Sequence, residues 1–228
     1  MLVVSVTDEW QTAHPGAVIG VLELSGVENS DPPLSLDDRK REIEARLRER
    51  YRGWSRRDFL SLPVMSAYER YYKRFDKTYH VQLQVESIVL KGKELPRVSP
   101  LVDSNFMAEV DTLVLTAGHD VAKLQGPVVI DVSREEDQIT QMNGVSRAIR
   151  ARDMIMRDAN GVSCSIIYGQ DSRSPISPDT SHVLYVAYAP PGVPAEAVDA
   201  QLWSIEANIR LFASEALVEQ RRLISAGG

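Results

Sequence analysis

The dipeptide His119–Asp120 in "TAGHD" is where this chain best combines residue types for proton transfer. An imidazole titrates near neutral pH, and a neighbouring carboxylate can fix its tautomer, which is how a general base is oriented. The same pair also reads as a turn histidine followed by a capping aspartate on a loop. None of the four histidines, His14, His80, His119 and His182, stands three to five residues from another or beside a cysteine, so no metal site is expected and no cofactor is implied. The single cysteine, Cys164, cannot form an internal disulfide and reads as a core thiol in a reducing compartment. A glycine-rich phosphate loop, a Gly-x-Ser-x-Gly elbow and a His-Glu-x-x-His helix are all absent from the sequence.

Two further features bear on binding. In "KGKELPRVSPLVDSNF", Lys91 to Phe106, Pro96 and Pro100 impose turn geometry, and Asp103 and Asn105 then sit inside an apolar run. Both side chains are expected to be at least half buried and bonded to main chain, either as braces or as a pocket wall. The segment Asp37 to Arg57, "DDRKREIEARLRERYRGWSRR", has its acids toward the start and a strongly cationic end. Ile43, Leu47 and Tyr51 recur every four residues, which predicts an amphipathic helix. Its arginines, Arg46, Arg50, Arg52, Arg56 and Arg57, read either as a solvated face of i,i+4 pairs or as an RNA-binding ridge that contacts phosphates.

The elements that must position these residues follow from pattern. "LVVSV" and "AVIGVLEL" predict strands, and Ser55 with Asp58 predicts a capping box opening a short helix that stops before Pro63. Another helix is expected from Val64 to Arg74, and "VQLQVESIVLKG" is read as a helix closed by Gly92. From Pro127 the short runs "PVVIDVS", "MIMRD", "SCSIIYG" and "HVLYVAYAP" predict strands of a curved, largely closed sheet. A C-terminal helix is predicted over 194–217, followed by a disordered "ISAGG" tail. At 228 residues and 43% hydrophobic, a single domain over 1–228 is expected. A net charge of -6 weighs against a dedicated nucleic-acid binder. No apolar run reaches the length of a membrane span and no export signal is visible, so the cytoplasm is the expected location.

Residues "YKRF", then "VESIVLKGKELPRVSPLVDSNFMAEV", then "GHDVAKLQGPVVIDVS" resemble, in kind and order, the B3/B4 domain of the bacterial phenylalanyl-tRNA synthetase β chain and its free-standing relatives. The likeness is closest over 67–189, with 1–66 and the C-terminal helix as elaborations. It implies an α+β domain with a curved, barrel-like β-sheet core, which in the synthetase hydrolyses tyrosine wrongly attached to phenylalanine tRNA. The synthetase's Phe-Gly-Gly-Glu-His-Ser motif has its best match in "YGQDS", with Tyr168 and Gly169 kept and Asp171 where the glutamate would be. The histidine of its Pro-x-His-Ala-Phe-Asp motif falls on Ala117, two residues from His119.

The resemblance thus implies Asp171 or His119 as catalytic candidates and Asp103, Asn105, Tyr168 and Gly169 as substrate-binding candidates. It implies tRNA or aminoacyl-tRNA as partner and an aminoacyl-tRNA deacylase acting in trans; without synthetase motifs the chain is not expected to charge tRNA. The alternatives are a non-catalytic RNA-binding module and a pocket reused for a small amino-acid-like metabolite.

Overall fold

The fold is described from a computed structural model covering residues 1–30 and 33–227. Strand β1 (Val4–Val6), helix α1 (Asp8–Ala13) and strand β2 (Val18–Ser25) open the chain. Five helices follow: α2 (Leu34–Arg50), α3 (Arg56–Leu60), α4 (Pro63–Lys73), α5 (His80–Val89) and α6 (Pro100–Thr112). Then come strands β3 (Thr116–Asp120), β4 (Val128–Val132), β5 (Gln138–Thr140), β6 (Ser146–Ala148) and β7 (Met154–Asp158). Strands β8 (Gly161–Ser165), β9 (Gly169–Gln170) and β10 (His182–Ala189) precede helix α7 (Ala195–Ile209) and strand β11 (Leu217–Ser225).

The chain is α+β, with its strands shared between two main sheets and a small hairpin. One sheet runs β1-β4-β7-β8-β9, the other β11-β2-β10-β3, and β5 pairs with β6. All ladders are antiparallel except β1 with β4. Strands after Pro127 therefore do not close on themselves: β4, β7, β8 and β9 join β1, while β10 leaves to pair with β2 and β3. Buried apolar residues from both sheets and helices α1 to α7 form one contiguous cluster.

Helix α4 lies between the sheets, and its tyrosines tie them together. Tyr68 donates to the Tyr188 carbonyl on β10 (2.7 Å) and accepts the Leu115 N–H (3.0 Å). Tyr71 donates to Asp153 (2.7 Å) and accepts the Met154 N–H (2.6 Å), while Tyr72 donates to the Ile166 carbonyl (2.9 Å). Spacing of i, i+3 and i+4 puts the three tyrosines on one face of α4, from which Tyr68 reaches β10 and Tyr71 and Tyr72 reach the β7–β8 region. Tyr79, just before α5, stacks on Tyr68 at 4.1 Å between ring centroids and bonds the Leu113 carbonyl (2.9 Å).

The segment read as turn chemistry is a strap held by α2. Residues Lys40, Glu44 and Arg48, four apart, meet it in order: Arg48 donates to the carbonyls of Ile88 and Lys93, Glu44 accepts the Leu95 N–H, and Lys40 donates to the Pro96 carbonyl. At the helix end before it, Gly92 adopts φ 65° and the Lys93 N–H returns to the Ser87 carbonyl, as the Gly92 cap predicts. Pro100 then opens α6 at its first turn, so Asp103 and Asn105 sit on a helix.

Two expectations are corrected. "TAGHD" is strand β3, not a loop, because its Thr116–Asp120 backbone pairs with β10. The last helix ends at Ile209, and the chain returns as β11, which takes Ile224 and Ser225 of the presumed tail into a ladder with β2; Gly228 lies outside the described residues. The reason is that β2 is buried along almost its whole length and needs a partner on each edge. The cationic segment spans two helices, as the Ser55–Asp58 box predicts: α2 ends at Arg50 and Gly53 turns the chain at φ 76° before α3, so Arg52, Arg56 and Arg57 leave the α2 face.

Tyr71→Phe is expected to lower unfolding free energy by about 1–3 kcal/mol, because it leaves the buried Asp153 carboxyl and Met154 N–H short of a partner. Tyr51, whose buried hydroxyl has no hydrogen-bond partner among the described residues, is the control. Tyr51→Phe is expected to be neutral or stabilising in the same urea titration.

Candidate functional site

A cavity of about 340 Å³ lies between the two sheets, within the size range of small-ligand sites. Helix α5 contributes His80 and Gln84, and α6 contributes Val102, Asn105, Phe106 and Glu109. Thr116, Ala117 and Gly118 of β3 face Cys164, Ser165, Gly169 and Gln170 of the other sheet, and Tyr185 and Tyr188 of β10 close the floor. Gly118 is required by closeness: a Cβ there would come within 2.7 Å of Ile176 and 2.9 Å of the Tyr185 ring, whose hydroxyl is tied to the Leu101 carbonyl.

Asn105 and Glu109, one turn apart on α6, grip the free edge of β3. Asn105 donates to the Thr116 carbonyl (3.0 Å), and Glu109 accepts the Thr116 N–H (2.7 Å). Gln201 of α7 donates to the Thr116 hydroxyl (2.9 Å) and accepts from Thr112 (2.5 Å), extending a neutral network behind the carboxyl. Burial pushes the Glu109 carboxyl up to about 8 against the pull of the Thr116 N–H, so it is protonated at neutral pH. Burial likewise raises Asp153 to about 6; this carboxyl receives hydrogen bonds from Ser165, Tyr71 and the Ile167 N–H. The Cys164 thiol is pushed up to about 12, also by burial, which removes it as a nucleophile near neutral pH. Among the described residues no lysine or arginine lines the cavity.

The structure separates the sequence-derived candidates. Asn105 and Gly169 line the cavity. Asp103 is buried but stands away from it, paired with Lys40 at 2.6 Å and accepting the Val98 N–H, so its work is to hold the strap. Both polar residues of the opening run are thus buried and bonded to main chain, Asp103 at 1% and Asn105 at 8% exposure. Tyr168 lies in a neighbouring open recess with Lys77, Arg147 and Arg150.

His119 and Asp171 are brought together, yet neither lines the cavity. Ser174 stands between them: its hydroxyl donates to Asp171 (2.8 Å) and meets His119 Nδ1 at 2.8 Å. The order is carboxylate, hydroxyl, imidazole, with the serine proton held by the acid. That is not the acid–imidazole–hydroxyl order of a nucleophilic triad. Desolvation keeps His119 neutral, lowering its pKa to about 3. Together with the Arg173–Asp171 ion pair (2.7 Å) and the Asp120 N–H bonded to the Ser174 carbonyl, these residues brace the 170–176 loop that carries Gln170 and Pro175 to the cavity.

The five arginines proposed for RNA also lie off the cavity lining. Arg46 pairs with Asp111 (2.8 Å), Arg52 with Glu49 and Arg56 with Glu86 (3.5 Å), Arg50 lies over the Tyr51 ring (5.2 Å), and Arg57 is exposed. Among the described residues no group of three or more potential metal ligands is found, and no helix is long and apolar enough to cross a membrane. Sequence reading missed Glu109 and Thr116. The signal for Glu109 was its i+4 spacing from Asn105, visible only once that stretch is read as helix.

No curated protein matches the chain. Among solved structures, an N-terminal fragment of the phenylalanyl-tRNA synthetase β-subunit from Pyrococcus horikoshii is similar at 10% identity and a TM-score of 0.49, over 97% of this chain and 50% of that one. The chain thus spans half the length of that fragment. The B3/4 domain family matches residues 65–202, the stretch that holds α4, the cavity walls and the bracing loop. This chain belongs to the B3/4 domain family.

Proposed function

We propose that the cavity holds an aminoacyl group, an amino-acid-like ligand with an amine and an esterified carboxyl, as carried at the 3′ end of a tRNA. The observation that carries this reading is the polar lining: one carboxyl, Glu109, with neutral amides and hydroxyls from Asn105, Thr116, Ser165 and Gln170, and no cation. A buried carboxyl suits an amine, while a free carboxylate beside it would lack a cationic partner. The apolar remainder, with Val102, Phe106, Ile166 and Ile176, suits a hydrophobic side chain. A cytoplasmic setting goes with such a partner.

Isothermal titration with amino-acid methyl esters and amides, set against the free amino acids, tests this. Esters or amides of apolar amino acids are expected to bind, and Glu109→Gln is expected to weaken them about tenfold or more, about 1.4 kcal/mol. Free amino acids binding as well as their esters would favour a small-metabolite site.

Hydrolysis of the ester is a second reading, favoured by the perturbed carboxyl at the cavity wall. His119 and Asp171 stand behind that wall, so Glu109 is the side chain placed to serve as base, and only when ionised. Deacylation of a panel of mischarged tRNAs, read as wild type minus Glu109→Gln, is then expected to rise with pH through about 8. No difference between the two proteins at any pH would leave binding alone.

The same group sets a stability profile without ligand. Its folded pKa of about 8 stands above the unfolded 4.5, so its stabilising contribution is full below 4.5 and is lost as pH rises through about 8. Melting temperatures of wild type and Glu109→Gln should therefore diverge between pH 5 and pH 9, with the variant increasingly the more stable.

A further inference from the structure

We infer that the hollow between α5 and the strap is a second ligand site, one that takes a free apolar α-amino acid as its zwitterion. The site is independent of what the cavity holds. It measures about 250 Å³, smaller than the cavity beside it. Leu83 and Ser87, like Gln84 and Ile88, stand four apart on α5, so one helix face forms its inner wall. Leu95 and Pro96 of the strap and Phe106 of α6 supply most of the remaining apolar wall. Lys93 and Glu94, both exposed, complete the lining at its rim.

Charge separates this hollow from the cavity. Gln84 and Phe106 line both, yet the cavity has one carboxyl and, among the described residues, no lysine or arginine, whereas the hollow has a cation and a carboxylate, consecutive in the chain, beside apolar walls. Neither Lys93 nor Glu94 has an ion-pair or side-chain hydrogen-bond partner among the described residues. A ligand whose ammonium and carboxylate sit on the carbon that bears an apolar side chain matches both charges and the walls at once. The rim is held in place before any ligand arrives. Arg48 donates to the Lys93 carbonyl (3.0 Å), Glu44 accepts the Leu95 N–H (2.6 Å) and Lys40 donates to the Pro96 carbonyl (3.0 Å), so the backbone on either side of Glu94 is fixed and little ordering remains to be done on binding. The Gln84 side-chain oxygen is buried without a hydrogen-bond partner among the described residues, an acceptor that a ligand ammonium can satisfy.

The test is isothermal titration of the full chain at neutral pH with L-leucine. Glycine, which has the charges without the side chain, and N-acetyl-L-leucine, which has the side chain without the ammonium, are the comparisons. Leucine is expected to bind more tightly than either. Lys93→Gln and Glu94→Gln, two exposed changes, are each expected to weaken leucine about three- to tenfold. Leucine binding is expected to survive Glu109→Gln, which alters the cavity. The inference is overturned if leucine does not bind, if glycine or N-acetyl-L-leucine binds as tightly, if both rim variants bind leucine as wild type does, or if Glu109→Gln abolishes leucine binding, which would place the amino acid in the cavity. Esters that bind while leucine does not would overturn the second site alone. Leucine binding that depends on Lys93, with no binding of esters, would remove the cavity reading and keep this one.

Discussion

The buried tyrosine hydroxyls of α4 are what the two-sheet arrangement depends on. No continuous ladder joins the β1-β4-β7-β8-β9 sheet to the β11-β2-β10-β3 sheet. Arg222 of β11 donates to the Val4 carbonyl of β1 and Gln170 of β9 meets His119 of β3, and through the core run Tyr68 to β10, Tyr71 to Asp153 and Tyr72 to Ile166, each a hydroxyl meeting a main-chain or carboxyl group. A buried polar group must find a partner, so each tyrosine both fills volume and fixes one geometry. The opening left between the pinned sheets is the cavity.

The same requirement explains why polar residues cluster around that opening. Strand β3 is an edge, and Asn105 and Glu109 satisfy its outward Thr116 groups where another strand would have done so. The opposite rim is held by the 170–176 loop, braced by Asp171, Ser174 and His119. Covering β3's edge with a helix leaves a carboxyl at the cavity wall, whereas a strand would have left only backbone. The cost of burying it appears as the raised Glu109 pKa.

Charge is divided by the same rule of local pairing. Lys40, Glu44 and Arg48 direct their charges to the strap backbone, which sets the outer wall of the cavity through Val98, Val102 and Phe106. Most of the remaining α2 and α3 arginines are neutralised by nearby acids. Counting basic residues along the chain therefore does not show which of them are paired, because pairing also depends on neighbours from other elements.

Sequence alone determined the local elements and the family likeness. Apolar spacing marked α2, Ser55 with Asp58 formed the predicted capping box, and length with the Gly92 cap identified α5, since each depends on residues close in the chain. The burial of Asp103 and Asn105 was also legible, from polar groups set in an apolar run. Tertiary structure decided the rest. "TAGHD" and "LVEQRRLIS" become strands only because β10 and β2 have edges to satisfy, and such pairings join residues far apart in the chain. His119 and Asp171 meet through Ser174 off the cavity lining, and Glu109 became the cavity's carboxyl, because which side of a wall a residue faces is set by what packs behind it, and no local pattern records that.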